Sequence, residues 1–150
     1  MVILGHMQGL QRMEPKMPMI TVRYVTPKDT PEMPGKIAAL ASRLATEQLK
    51  KDPKVTAVLV EGADPKGWYL AGSHPTELGL SAYWIDVKVT AGSNLKAETT
   101  AFIKAAHEGM QKLLGNVHEE SYVLVHAVDG HAYGFGGRTQ EGRWSAANPG

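Results

Sequence analysis

The chain has 150 residues, the usual size of one compact domain, and 43% of them are hydrophobic, enough to bury a core. The 16 Lys and Arg residues nearly balance the 15 Asp and Glu residues. A formal net charge of +1 argues against a protein that follows the phosphate backbone of nucleic acid. The absence of cysteine excludes disulfides, thiolate nucleophiles, iron–sulfur clusters and cysteine zinc sites.

The first half of the chain predicts a strand, a helix and a second strand. Met19–Val25 is rich in β-branched residues, and the turn residues over 27–31 break this strand. Apolar residues at helical spacing follow over 37–49, and the Asp52-Pro53 pair stops the helix. The segment 55–61 is the returning strand.

The second half repeats this order. A strand over 83–90 leads to a helix over 94–114, with Asn94 as its predicted N-cap and Gly115 as its stop, and a strand follows over 121–128. A constant shift of 65 positions superposes the two halves without a gap. The matched pairs include Ile20 with Ile85, Leu49 with Leu114, Asp64 with Asp129, Trp68 with Tyr133, and Gly72 with Gly137. The sequence therefore predicts a single domain over 18–150, made of repeats 18–82 and 83–150, after an N-terminal extension over 1–17.

The order of elements in each repeat predicts the fold class. A strand, a crossover helix and a second strand place the two strands in parallel, with the helix on one face. Two such units predict an α+β fold in which a four-stranded, mostly parallel sheet carries two helices on one face. The returning strands are apolar at nearly every position over 57–60 and 122–128, which is typical of strands covered on both faces. Since no further helix is predicted, we expect other copies of the chain to cover the open face in a closed homo-oligomer.

The tail after the last strand is dense in glycine. The segment 133–137, Tyr-Gly-Phe-Gly-Gly, predicts a tight turn or hairpin. It does not open a helix and no Lys-Ser or Lys-Thr follows, so a phosphate or dinucleotide loop is not indicated. Arg138, directly after it, is a candidate contact for an anion.

The remaining signals concern cofactors and location. The six histidines show no metal-ligand spacing on a predicted helix, so we expect no metal, and His126 on an apolar strand fits a core histidine better than a catalytic base. No apolar run approaches the roughly 20 residues that a membrane helix needs. Nor does the N-terminus resemble a secretion signal, so we expect a cytoplasmic protein that binds no membrane.

Three features together resemble the tautomerase superfamily, the group of 4-oxalocrotonate tautomerase. They are the start Met-Pro-Met-Ile-Thr-Val over 17–22, the tandem repeat, and the aromatic-Gly-x-Gly-Gly segment over 133–137. The fused layout resembles the longer members, which include macrophage migration inhibitory factor. The resemblance runs from Pro18 to about Trp144 and implies a trimer without a cofactor. It also implies a proline, first in the mature chain, that acts as general base and acid on enol or dienol acids.

The resemblance also implies roles for particular positions. Pro18 takes the place of the catalytic proline, and Lys28 stands where the short enzymes hold a substrate carboxylate with an arginine. Trp68 and Tyr133 fall at the aromatic position that gives the pocket an apolar wall. Tyr122 falls where the inhibitory-factor branch has a tyrosine that reaches the proline across the trimer. We therefore expect an isomerase that moves a proton on a small anionic substrate, an unsaturated 2-hydroxy or 2-oxo acid.

Departures from the family pattern bear on the reaction. Val58 and Tyr122 stand where the short enzymes have a second arginine, and Thr90 and Ser93 stand where the dehalogenase branch has an arginine pair. A related hydratase or decarboxylase reaction is therefore less well supported. Tyr83 occupies the proline position of the second repeat, so we expect one site per chain.

The residues before Pro18 leave a second function open. With residue 17 attached, the Pro18 nitrogen is a tertiary amide and has no useful basicity. We expect a processed or shorter natural form that begins at Pro18. The alternative is a non-catalytic oligomeric binding or regulatory protein on the same scaffold.

Overall fold

A computed structural model describes residues 18–148, and the predicted extension over 1–17 lies outside them. The described residues form a four-stranded sheet, a small hairpin and three α-helices. The elements in chain order are β1 (Met19–Val25), α1 (Met33–Glu47), β2 (Ala57–Gly62), β3 (Ala82–Thr90), α2 (Lys96–Leu114), β4 (Tyr122–Val128), β5 (Gly134–Phe135), β6 (Arg138–Thr139) and α3 (Gln140–Ala147). Short 3₁₀ helices lie at Pro53–Val55, Pro65–Gly67 and Pro75–Leu78.

The sheet has the strand order β2-β1-β3-β4, and each repeat contributes one parallel pair. β1 pairs in parallel with β2, and β3 pairs in parallel with β4. The two central strands, β1 and β3, are antiparallel, with Val22 opposite Ile85. Two of the three pairings are thus parallel, and the predicted α+β fold class is confirmed.

The helices α1 and α2 pack side by side on one face of the sheet and form the core with it. Alternate residues of the central strands point into this core, as the period of a strand requires. Ile20, Val22, Ile85 and Val87 are all buried there. The helices contribute Met33, Ile37, Leu40, Ala41, Leu44, Ala45, Phe102, Ala106 and Met110. Burial of this apolar surface is the main contribution to stability.

The internal repeat is also visible in the backbone conformation of two equivalent turns, one in each repeat. The two central residues of the turn over 70–73 have φ values of 49° and 79°, and those of the turn over 135–138 have 62° and 78°. In both turns the first and last residues pair as in a strand ladder. Two positive φ values are the geometry of a type I′ turn, which suits a hairpin. The hairpin predicted in the glycine-rich tail is therefore present.

The ends of two elements in the first repeat differ from the predicted ones. α1 begins at Met33 because Pro34 fits the first turn of a helix, where its missing N–H needs no partner. β2 begins at Ala57 because Pro53–Val55 forms a 3₁₀ turn, in which the Asp52 carboxylate accepts a hydrogen bond from a backbone N–H.

The predicted N-cap of α2 is wrong by one residue. Leu95 occupies the N-cap, and its N–H donates to the Glu98 carboxylate at 2.8 Å. Asn94 instead donates its side-chain amide to the carbonyl of Leu49 at 2.8 Å, which ties the start of α2 to the end of the first repeat's helical segment. Gly115, with a φ of 70°, ends the helix as predicted.

The helix α3 contradicts the expectation that no further helix exists. Thr139 is its N-cap, with its hydroxyl oxygen accepting the Gly142 N–H at 2.9 Å. The segment has few apolar residues and no helical apolar period, so the sequence carries no pattern that indicates a helix. α3 packs against β6 and does not cover the open face of the sheet.

That open face, opposite α1 and α2, is uncovered in a single chain. Leu59, Trp84, Tyr122 and Leu124 lie on it and are 45–56% exposed. Several large apolar side chains half-exposed on one face of a sheet are typical of an interaction surface. None of the helices within residues 18–148 combines the length and apolar character needed to cross a membrane.

Candidate functional site

A pocket of about 370 Å³ lies at the start of β1, next to the buried Pro18. Its lining consists of Pro18, Met19, Lys54, Val55, Thr56, Ala57, Gly134 and Phe135. Lys54 is the charged member of this lining, and the other members are apolar apart from one threonine. The charge and the apolar walls together favour a small organic anion.

The parallel pairing of β1 with β2 determines what surrounds Pro18. The Ala57 N–H donates to the Pro18 carbonyl at 3.3 Å, which holds the ends of the two strands together. Just before β2, Asp52 accepts the Lys54 N–H at 2.9 Å, and the Thr56 hydroxyl donates to the Asp52 carbonyl at 2.7 Å. These bonds fix the turn that carries Lys54 beside Pro18.

Phe135, on β5, supplies the aromatic part of the pocket wall. The guanidinium of Arg143, on α3, lies over its ring with Cζ 4.0 Å from the ring centroid. Arg143 also donates Nε–H and Nη2–H to the Phe135 carbonyl at 3.2 and 2.8 Å. One side chain thus holds both the ring and the backbone of the hairpin residue that lines the pocket.

Lys28 lies at the other end of β1 from Pro18. The seven residues of β1, at roughly 3.3 Å each, put about 23 Å between these ends. Lys28 borders a separate pocket of about 290 Å³, together with Thr26, Ser81 and others. A single chain therefore does not bring Lys28 to Pro18.

Trp68 belongs to a small second core at the C-terminal end of β1. It is buried, packs with Val25 and Ala82, and contacts Trp84 with ring centroids 4.8 Å apart. Its indole N–H has no hydrogen-bond partner among residues 18–148. Within one chain Trp68 forms no part of the Pro18 pocket.

Tyr133 precedes the hairpin and is not among the residues that line the Pro18 pocket. Its hydroxyl forms a hydrogen bond with Oγ1 of Thr90, at the end of β3. Burial raises the pKa of Tyr133, and the bond to Thr90 offsets part of this rise. The aromatic residue that the hairpin gives to the Pro18 pocket is Phe135.

Tyr122 and Arg138 are exposed in one chain. Tyr122 begins β4 and borders a pocket of about 190 Å³ on the open face of the sheet, where Arg23 and Asp86 also lie. Arg138 begins β6, paired with Phe135 across the hairpin. Neither residue lines the Pro18 pocket of its own chain.

The open face also carries a cluster of charges. Asp86 contacts the Lys88 ammonium at 2.8 Å and Nε2 of His126 at 3.4 Å. His126 is 44% exposed, so the expectation of a core histidine is wrong: β4 is an edge strand, and this position faces away from the helices. In the described part of the chain, no three His, Asp or Glu side chains group as a metal site.

Tyr83, at the proline position of the second repeat, is a core residue. Its hydroxyl lies 2.6 Å from Nδ1 of His107, and burial raises the pKa of Tyr83 to about 12. Tyr24 donates to the Asp29 carboxylate at 2.8 Å; burial first, then this bond and the Asp29 charge, raise the pKa of Tyr24 to about 12. Both tyrosines remain neutral at physiological pH.

Comparison with known proteins gives matches in structure alone, since no family sequence model and no curated protein matches the chain. A fused 4-OT, a wild-type symmetric trimer, has a TM-score of 0.72 at 14% identity, over 83% of this chain and 98% of that one. A protein inactivated by 2-oxo-3-pentynoate has a TM-score of 0.72 at 14% identity, over 82% and 96%. A MIF-like protein from Entamoeba histolytica has a TM-score of 0.64 at 17% identity, over 81% and 97%.

The chain has the fused 4-OT and MIF-like fold. The fold that the sequence resemblance implies is thus confirmed, and both repeats take part in it, since the matches cover more than four fifths of this chain and nearly the whole length of each of these structures.

Within this 4-OT-like fold, sequence reasoning missed three residues at the Pro18 pocket. The sequence contained an indication for Lys54, because this residue directly precedes a strand predicted to run parallel to the strand that Pro18 begins. The indication for Phe135 was weaker: it is an aromatic residue inside the predicted hairpin. Arg143 had none, because its contact depends on the unpredicted helix α3.

Proposed function

We propose that this protein is a proline-dependent tautomerase acting on a small unsaturated 2-hydroxy or 2-oxo acid, in a form whose first residue is Pro18. The observation that carries the proposal is the pocket at Pro18, with its apolar lining and the Lys54 ammonium. The 4-OT-like fold supports it, because the sequence resemblance to that group implies a catalytic proline at the start of the first strand.

In this form the Pro18 nitrogen is a secondary amine. Apolar surroundings and a neighbouring ammonium both disfavour a protonated amine, so the free lone pair is available near neutral pH. The five-membered ring prevents rotation about the N–Cα bond, and the bond from Ala57 fixes the Pro18 carbonyl, so little entropy is lost in aiming the nitrogen.

The reaction moves one proton within the substrate. The amine removes the hydroxyl proton of the enol acid, the O–H electron pair forms the new C=O bond, and the C=C electrons take up a proton at carbon from the prolinium. The amine is thereby regenerated. Lys54 holds the substrate carboxylate and stabilises the negative charge that develops on the enolate.

We infer that the active assembly is a homotrimer in which the open sheet face is covered by other copies. The half-exposed Leu59, Trp84 and Leu124 on this face support the inference, and one of the matched fused 4-OT structures is a trimer. In such an assembly, Lys28 and Tyr122 act at the pocket of a neighbouring copy.

Covalent labelling tests the base directly. One protein with this fold is inactivated by 2-oxo-3-pentynoate, an acid with an electrophilic triple bond. A neutral amine adds to that bond, forming C–N, while its proton moves to the adjacent carbon. We expect one adduct per chain, located on Pro18, when the chain begins there. A matched chain that keeps Met17 has no amine at this position, and equal labelling of both chains contradicts the proposal.

A further inference from the structure

The second hairpin is held by a contact that its counterpart in the first repeat lacks. Arg143 stacks on the Phe135 ring and donates two hydrogen bonds to the Phe135 carbonyl. At the positions 65 residues earlier, 70 and 78, both residues are leucine. The clamp is therefore specific to the hairpin beside Pro18.

The local backbone leaves room for this clamp. A Cβ atom at Gly136 would lie 2.6 Å from Nη2 of Arg143, and Gly136 has a φ of 62°, which favours glycine. Any side chain at this position would therefore displace the guanidinium. The glycine-rich turn serves the approach of Arg143 as well as the hairpin itself.

We propose that Arg143 is a positioning residue that holds the Phe135 ring as a fixed wall of the Pro18 pocket. The wall makes the pocket select acids whose carboxylate is attached to a flat, unsaturated group. Arg143 covers one face of the ring, so the pocket meets the remaining aromatic surface, and a flat π system packs on such a surface better than a puckered ring. Lys54 provides the cation for the carboxylate. The clamp and the binding preference do not depend on the proposed function. Only the turnover of the selected acids rests on it.

Two probes of similar size separate flat from puckered ligands. Cinnamate is planar, whereas 3-cyclohexylpropanoate is not, and each carries one carboxylate. Their Kd values are measured by calorimetry on the 150-residue chain, on Arg143→Gln and Arg143→Lys, and on Phe135→Leu with and without Arg143→Gln. Arg43→Gln is the matched control, because Arg43 is exposed on α1 and pairs only with the exposed Glu47 among the described residues.

We expect the wild type to prefer cinnamate and Arg143→Gln to weaken cinnamate binding about tenfold, with less than about a twofold effect on 3-cyclohexylpropanoate. Arg143→Lys should weaken cinnamate binding less than Arg143→Gln does, because lysine keeps the positive charge near the ring but lacks the two parallel N–H donors of arginine. In the Phe135→Leu background, Arg143→Gln should no longer affect the two acids differently, because the ring is gone and Arg143 holds only the backbone carbonyl of residue 135. Equal weakening of both acids, or no binding by the wild type, overturns the proposal.

Hydrogen–deuterium exchange of the hairpin amides tests the clamp without any ligand. Arg143→Gln should speed exchange over 134–139, and Arg43→Gln should not. Unchanged exchange overturns the clamp. If the binding and exchange results are as expected but the chain that begins at Pro18 shows no turnover, the proposed tautomerase function is refuted. The proposal for Arg143 and the selective pocket is then still supported.

Discussion

The contact between α1 and α2 leads to a sharp prediction at Gly109, against which Leu40 packs. A Cβ atom at this position would lie 2.6 and 2.7 Å from the two methyl groups of Leu40. In a helix interior, Gly→Ala stabilises by about 1 kcal/mol, whereas overpacking a core costs about 1–3 kcal/mol. Leu40 is 9% exposed and can move only partly, so we expect Gly109→Ala to lower the free energy of unfolding by about 1 kcal/mol.

Gly35 in α1 provides the matched control. No heavy atom lies within 4 Å of a Cβ atom built there, so Gly35→Ala should stabilise by about 0.5–1 kcal/mol. The free energies of unfolding of both variants and the wild type are compared by urea unfolding. All three are measured at one protein concentration, because any association between chains shifts the apparent stability. If Gly109→Ala is as stable as Gly35→Ala, the close packing of Leu40 on α2 is refuted.

Two further predictions concern the buried tyrosines and the open face. Tyr83 and Tyr24 have pKa values of about 12 in the folded chain against 10.0 ordinarily, so their contribution to stability is complete below pH 10 and is lost as the pH rises towards 12. Ultraviolet titration should show Tyr24 and Tyr83 ionising only as the pH approaches 12, and ionisation of either one near pH 10 contradicts this. If the proposed homo-oligomer forms through the open face, Leu124→Asp should reduce it to single chains in sedimentation. Leu78→Asp, at a position that is 65% exposed and outside the sheet, should not. An unchanged mass for Leu124→Asp rules out the open face as the interface.

Much of the fold was predictable because the two repeats supplied the same pattern twice. The apolar period over 37–49 and its counterpart 65 positions later indicated two helices, and the β-branched runs indicated four strands. The element ends depended on local bonds that no pattern carries. The amide of Asn94, for instance, binds the carbonyl of Leu49 and leaves the N-cap to Leu95.

The candidate site was predictable where it followed from the family resemblance or from strand order. Pro18 came from the resemblance, and parallel pairing would have placed Lys54 beside it. The place of Arg143 on Phe135 depended on α3, whose sequence has no helical apolar period. Lys28 and Trp68 lie at the far end of β1, so their predicted roles depend on an assembly of several chains rather than on one.

The most direct test of the central claim compares enol turnover by two chains that differ only in residue 17. One begins at Pro18, and the other keeps Met17 in front of it. Ketonisation of an aryl enolpyruvate is followed by ultraviolet absorbance. We expect turnover by the first chain, and a loss of about 10²–10⁴-fold both on keeping Met17 and on Pro18→Ala, because each removes the positioned secondary amine. Equal turnover by the two chains would show that the Pro18 amine is not the base.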